Sequence, residues 1–192
     1  MGDVISDIGR RLGKPQIESD IADAGEFLAE LVQEDAYVGD VYSLSYANAL
    51  VQIHDHYRGR VGGIPALSFL VATRVNPGEP IDIQKEDASV LLLRVLDHAD
   101  LPNAAEALRV RVETAQRVSG EVDKHWDDRA IMDPTTHNIL SYAGVQCRVL
   151  GTFYVANIGT DEQPKYSLSF GCDISNYYPN QGLKVFKPRG HA

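Results

Sequence analysis

Short apolar-alternating runs, cut apart by glycine, proline and asparagine, constrain this chain more than any other feature. Residues 38–75 read VGDVYSLSYANALVQIHDHYRGRVGGIPALSFLVATRV. Strand-like runs fall near Val41–Tyr46, Ala49–His54 and Leu67–Val75, with breaks at Ala47-Asn48 and across the glycine-rich Arg58–Pro65. A fourth run, ASVLLLRVL over Ala88–Leu96, is almost wholly apolar, the pattern of a strand buried on both faces. Strands resume at Gly144–Ala156, Tyr166–Phe170 and Leu183–Lys187. Many short strands with turn signals between them predict a mainly β chain, a small barrel or sandwich rather than a parallel sheet.

Two helical stretches interrupt that pattern. In SDIADAGEFLAELVQED (Ser19–Asp35), Ile21, Ala24, Leu28, Leu31 and Val32 share one helical stripe with acids opposite, and Ser19 is placed to cap it. That helix has two uses open to it, packing on its own domain or docking a partner. LPNAAEALRVRVETAQRVSG reads as a helical insertion near 102–120, capped by Asn103 with Glu106 three residues on and stopped by Gly120. The polar stretch EVDKHWDDRAIMDPTTHN that follows reads as irregular. The expected organisation is an acidic helical segment over 1–37, a barrel with its insertion over 38–188, and the start of a linker at 189–192.

Charge restricts the partners. Of the 27 acidic and 18 basic residues that give a net charge of −9, residues 1–40 hold 10 and 3, leaving the other 152 residues near neutral at −2. Strong DNA binding wants a basic stripe, and none is evident. No apolar run approaches the roughly 20 residues of a membrane span, no signal-peptide core opens the chain, and Cys147 and Cys172 lack paired spacing. These features predict a cytoplasmic protein with reduced thiols and no membrane partner.

Few residues invite a chemical role. GRRLGKP (Gly9–Pro15) has three residues between its glycines where a phosphate loop has four, and Pro15 stands where the Mg²⁺-binding hydroxyl is needed. That stretch is not a Walker motif. HDHY offers His54 and His56 on one face of a strand with Asp55 opposite; zinc needs a third and fourth ligand, and a strand-edge polar cluster is the alternative. Cys147 has no nucleophile signature around it, and Asp127-Asp128 sit in a polar loop. Gly62 and Gly63, followed by Pro65, predict a turn with at least one positive φ. The aromatic pair Tyr177-Tyr178 offers base stacking or, as the commoner use, packing at a barrel mouth or interface; Asp173, Asn176 and Lys187 join it as interface candidates. No catalytic, cofactor or metal residues are assigned.

The ordered pieces VGDVYSLSYANALVQIHD, RVGGIPALSFLVATR, GVQCRVLGTFY and LSFGCDISNYYPNQGLKVFKP together resemble the N-terminal HAS-barrel of HerA-type ATPases, ring-forming DNA translocases. The resemblance spans about residues 38–188 and is most specific at Arg60–Pro65 and Gly171–Pro188. It implies a barrel that helps a hexamer assemble and docks an effector such as a nuclease or sirtuin-like enzyme, in some cases in anti-phage defence. ATP, Mg²⁺ and DNA would then belong to a motor domain following SNYYPNQGLKVFKP, none of whose motifs occurs here. The competing expectation is a stand-alone OB-like barrel that binds single-stranded nucleic acid or a small ligand.

Overall fold

A computed structural model describes residues 24–80, 89–118, 134–160, 162–171 and 182–189. Helix α1 covers 24–31 and leads through a single 3₁₀ turn, Glu34–Ala36, into strand β1, Tyr37–Leu44. The rest runs β2 (Asn48–His54), α2 (Asp55–Arg60), β3 (Phe69–Thr73), β4 (Val90–His98), α3 (Ala104–Val118), α4 (Pro134–Leu140), β5 (Tyr142–Asn157), β6 (Tyr166–Gly171) and β7 (Lys184–Phe186). All seven expected strands are present. The helical insertion is also present, with the Ala107 N–H bonded to the Asn103 carbonyl at 3.0 Å, so that α3 starts where the sequence places it.

Every strand pairing is antiparallel, and six strands close on one another in the order β1–β2–β5–β4–β3–β7 and back to β1. Closure leaves these six without a free edge along most of their length, which a small β protein otherwise has to cover or charge. The sixteen-residue β5 is long enough to serve two neighbours on one edge. Its first half pairs with β2 through Tyr142–Arg148, and its second half pairs with β6 through Thr152–Asn157. The β5–β6 hairpin thus extends beyond the barrel, and β6 pairs only with β5 among the described residues.

The barrel interior is filled by alternate residues: Ala49, Val51 and Ile53 from β2, Leu70 and Ala72 from β3, Leu91, Leu93 and Val95 from β4, Cys147 from β5 and Val185 from β7. Strand β1 departs from alternation. Its inward residues, Val38, Val41 and Leu44, recur every third position because register shifts occur between Tyr37 and Gly39 and between Val41 and Ser43. Each bulge inserts one residue and flips those after it to the other face.

A second core lies outside the barrel. Leu28 of α1, Val32 just past its end and Ala36 pack on the outward residues Val71, Val90 and Phe186, and Leu92, Phe153 and Leu168 flank them. This is why Val90–Leu93 at the start of β4 read as continuously apolar: Leu91 and Leu93 face in, while Val90 and Leu92 lie under α1. Of the two uses open to the amphipathic helix, its apolar stripe serves packing on its own barrel.

Two helices depart from the sequence reading. Residues 55–60 form α2 where His56 was read on a strand face and Arg58 as the start of a break, and residues 134–140 form α4, which begins inside the stretch read as irregular. Proline at the first helical position is a start signal for α4, since Pro134 has no N–H to leave unbonded there. Helix α2 contains Gly59 and is only six residues long, so its stability comes from its ends, described next.

Candidate functional site

The expected turn at Gly62 and Gly63 is a helix terminus rather than a strand-to-strand connection. The Gly63 N–H bonds the Arg58 carbonyl at 2.9 Å and the Gly62 N–H bonds the Gly59 carbonyl at 3.2 Å. This is the Schellman pattern, which requires a left-handed residue just past the helix. Gly62 has φ +73° and Gly63 φ +89°, so the predicted positive φ occurs at both. Pro65 follows, and its carbonyl accepts the Ser68 hydroxyl at 2.7 Å. The chain then enters β3 through Leu67, which itself has φ +66°.

Lys187, one of the interface candidates, anchors this corner from below. Its Nζ donates to the Val61 carbonyl at 3.0 Å and the Gly63 carbonyl at 2.7 Å, placing a cation on the negative end of α2. Arg60 ties the same helix to β1: Nη2 donates to the Glu34 and Tyr37 carbonyls at 3.1 and 3.2 Å, and the guanidinium lies 5.0 Å from the Tyr57 ring centre. On the opposite side of the strand junction, Lys184 Nζ pairs with Asp40 Oδ1 at 2.8 Å. Asp173, Asn176, Tyr177 and Tyr178 lie outside the described residues, as do Cys172, Asp127-Asp128 and the Gly9–Pro15 stretch.

The histidines are arranged differently from the strand-face expectation. Strand β2 ends at His54, whose Nδ1 accepts the His56 N–H at 3.2 Å and so caps α2, while His56 belongs to the helix. Backbone direction changes between them, yet their rings stand edge-to-face with centres 6.4 Å apart. The ring of His54 also meets Tyr142 edge-on at 4.8 Å and Tyr57 at 5.3 Å. Partial burial, then the neighbouring His56, lowers the His54 pKa below the ordinary imidazole value, against an opposing pull from Asp55. Among the described residues no group of three His, Cys, Asp or Glu side chains comes together to hold a metal. Burial pushes the Cys147 thiol up to about 12, so it is protonated at neutral pH and unsuited to nucleophilic work.

Among the described residues, exposed apolar side chains gather in several places, three of which are these. Leu67, Phe69 and Leu96 stand exposed together where β3 and β4 begin and end, the Leu67 N–H bonding the Val95 carbonyl at 2.9 Å. Leu108 and Val112, one helical turn apart, are exposed on α3, where no residue from Ala104 to Gln116 is buried. Tyr154, Ile158 and Phe170 mark the projecting β5–β6 hairpin. Sequence reasoning missed the first of these, because its three members come from a loop, a strand start and a bulge. Compared with models of known protein families and with curated proteins, the chain gives no match. No helix among the described residues is long and apolar enough to cross a membrane.

Proposed function

We propose that this barrel is the N-terminal assembly and partner-docking module of a HerA-type DNA-translocating ATPase, acting in a ring, with a hexamer the expected size. The observation that carries the reading is the six-stranded antiparallel closed barrel, which agrees with the barrel that the resemblance of residues 38–188 implies. The exposed apolar groups at Leu67, Phe69 and Leu96 and at Leu108 and Val112 are the kind of surface a subunit or effector would cover. An effector of the nuclease or sirtuin-like class, and a role in anti-phage defence in the cytoplasm, belong to the same proposal. ATP, Mg²⁺ and DNA translocation would be supplied by a motor domain.

The reading frame downstream of Ala192 tests this directly: a phosphate-loop motif in the following domain supports it, and a stop codon overturns it. In solution, sedimentation over a concentration series should find mostly monomer at micromolar concentration for these 192 residues. Addition of the motor domain with nucleotide should produce a closed ring. A longer chain that stayed monomeric with nucleotide present would count against the ring module.

A further inference from the structure

The register of the barrel builds a row of side chains that no single stretch of sequence contains. Phe69 on β3 stands opposite Arg94 on β4, Arg94 opposite Arg148 on β5, and Arg148 opposite Asn48 on β2. Directly paired residues share a face, and Leu70, Leu93 and Cys147 beside them point into the barrel, so the row faces outward. At a strand spacing of about 4.8 Å it spans roughly 14 Å.

Two arginines directly opposite one another repel, and such a pair is destabilising unless something anionic lies across it. Neither Arg94 nor Arg148 forms an ion pair among the described residues, although the chain has nine more acids than bases. The acid in the next row, Asp97, accepts the His98 N–H at 2.8 Å. The Arg94 guanidinium lies over the Phe69 ring, 5.7 Å from its centre, and its Nε is buried without a hydrogen-bond partner. The group is thus held in place, and any contact to an anion at the surface falls to its terminal Nη groups rather than to the buried Nε. Beyond Arg148, the β1–β2 turn is fastened to β5 by the Val149 N–H donating to the Ala47 carbonyl at 2.9 Å. Tyr46 of that turn is 88% exposed, and Phe69 at the other end of the row is 48% exposed.

A half-exposed Phe69 ring, two adjacent guanidinium groups and the exposed Tyr46 of the turn beyond them match alternating flat bases and phosphates. We propose that the Phe69–Arg94–Arg148 row, with Tyr46 beyond it, binds single-stranded nucleic acid through phosphodiester contacts to the two arginines and base stacking on the two rings. An acidic peptide would use the arginines but leave both rings idle, which is why the nucleic acid is favoured. This proposal does not depend on the ring-module reading and holds for a stand-alone barrel as well. With only two phosphate contacts on an acidic protein, binding should be weak and sensitive to salt.

The test is fluorescence anisotropy with a labelled fifteen-nucleotide oligothymidylate, titrated with the 192-residue chain at 50 and 200 mM salt. Two contacts to a single strand give a log–log salt slope of about −1.4, or about sevenfold weaker binding at the higher salt. Arg94→Gln with Arg148→Gln should abolish the binding seen at 50 mM, leaving no salt-dependent rise in anisotropy. Tyr46→Ala should weaken binding at least fivefold without changing the slope. Arg109→Gln on α3 should change neither, and a matched circular-dichroism melt keeps a folding defect from being read as lost binding. No salt-dependent rise with the wild-type chain, or equal binding by the double glutamine variant, overturns the proposal. So does equal binding of a duplex of the same length, or a shift in sedimentation of the double variant without any oligonucleotide binding by wild type.

Discussion

Three glycines within five residues should respond to alanine with opposite signs. Gly59 lies inside α2, and a Cβ built on it meets nothing within 4 Å. Alanine there keeps the helix and narrows the unfolded ensemble, so Gly59→Ala should stabilise the protein by about 0.5–1 kcal/mol. Gly62 also has open space around its missing Cβ, but its φ is +73°. The penalty at Gly62 is therefore purely conformational, about 1–2 kcal/mol for placing an L-residue in the left-handed region. In a chain of this size each kcal/mol moves Tm by about 2–4 °C, so Gly62→Ala should lower it by about 2–8 °C while Gly59→Ala raises it. Val at both Gly62 and Gly63 should cost about 1–3 kcal/mol through the same strain.

Urea melts of the single variants, read by tyrosine fluorescence and circular dichroism together, give the free energies. Lys187→Met adds a check on the cause. It removes the charged donor from the Val61 and Gly63 carbonyls, worth about 1.5 kcal/mol or more, and should couple to Gly63→Ala but add independently to Gly59→Ala. A neutral Gly62→Ala, or Gly59→Ala and Gly62→Ala moving together, would refute the assignment of this corner as a left-handed helix terminus.

Gly39→Ala should be far worse than either, because its Cβ would fall 1.9 Å from the Gln52 carbonyl oxygen inside the β1–β2 ladder. A loss of about 3 kcal/mol or more is expected by urea melt, and a near-neutral result would mean that the bulge can slip. Acid should destabilise the fold through His54. Its lowered folded pKa means the unfolded chain binds the extra proton first, so its contribution is present above about pH 6.5 and lost as pH falls below that. Tm should fall between pH 7.5 and 5.5 with a shallower slope in His54→Gln, and an unchanged slope in the variant contradicts this. Cys147, in a Cys172→Ser background, should resist a water-soluble disulfide reagent at pH 8 and react on unfolding. Rapid labelling of the folded protein would show that the barrel opens more readily than its packing implies.

Where local pattern and tertiary environment agree, the sequence was enough. Continuous apolarity over Val90–Leu93 marks a strand covered on both faces, the stripe at Leu28 and Val32 covers one of them, and each was readable alone. The start of β1 was not, because bulges give Val38, Val41 and Leu44 a three-residue spacing that neither alternation nor a helical stripe describes. Helix α2 was hidden by Gly59 and by the fact that its stabilising groups are remote: Arg60 reaches back to Glu34 and Tyr37, and Lys187 comes from the far end of the chain. The positive φ at Gly62 and Gly63 was legible, but its setting was not. The arginine row was least legible of all, since cross-strand register is a property of the closed barrel and leaves no mark in any one segment.

The packing of α1 also decides which surfaces remain for a partner. Leu28 is fully buried and Val32 nearly so, against Val71, Val90 and Phe186. Detaching the helix to dock elsewhere would return all of these to water, at about 1.5–3 kcal/mol for each large side chain. Its apolar stripe is thus part of the fold, and only Glu26, Glu30 and their exposed neighbours are left facing out. Helix α3 is the reverse case: Leu108 is 61% and Val112 47% exposed, so the barrel gains little from either. Leu28→Ala should therefore cost about 2–5 kcal/mol. Leu108→Glu with Val112→Glu should stay within about 0.5 kcal/mol of wild type, since exposed positions tolerate substitution. If the ring or its effector uses α3, the same glutamate variant should lose association of the motor-containing chain, or capture of the effector, while melting as wild type does. A large loss of stability in that variant would mean instead that α3 is packed in the folded protein, and would remove it from the surfaces open to a partner.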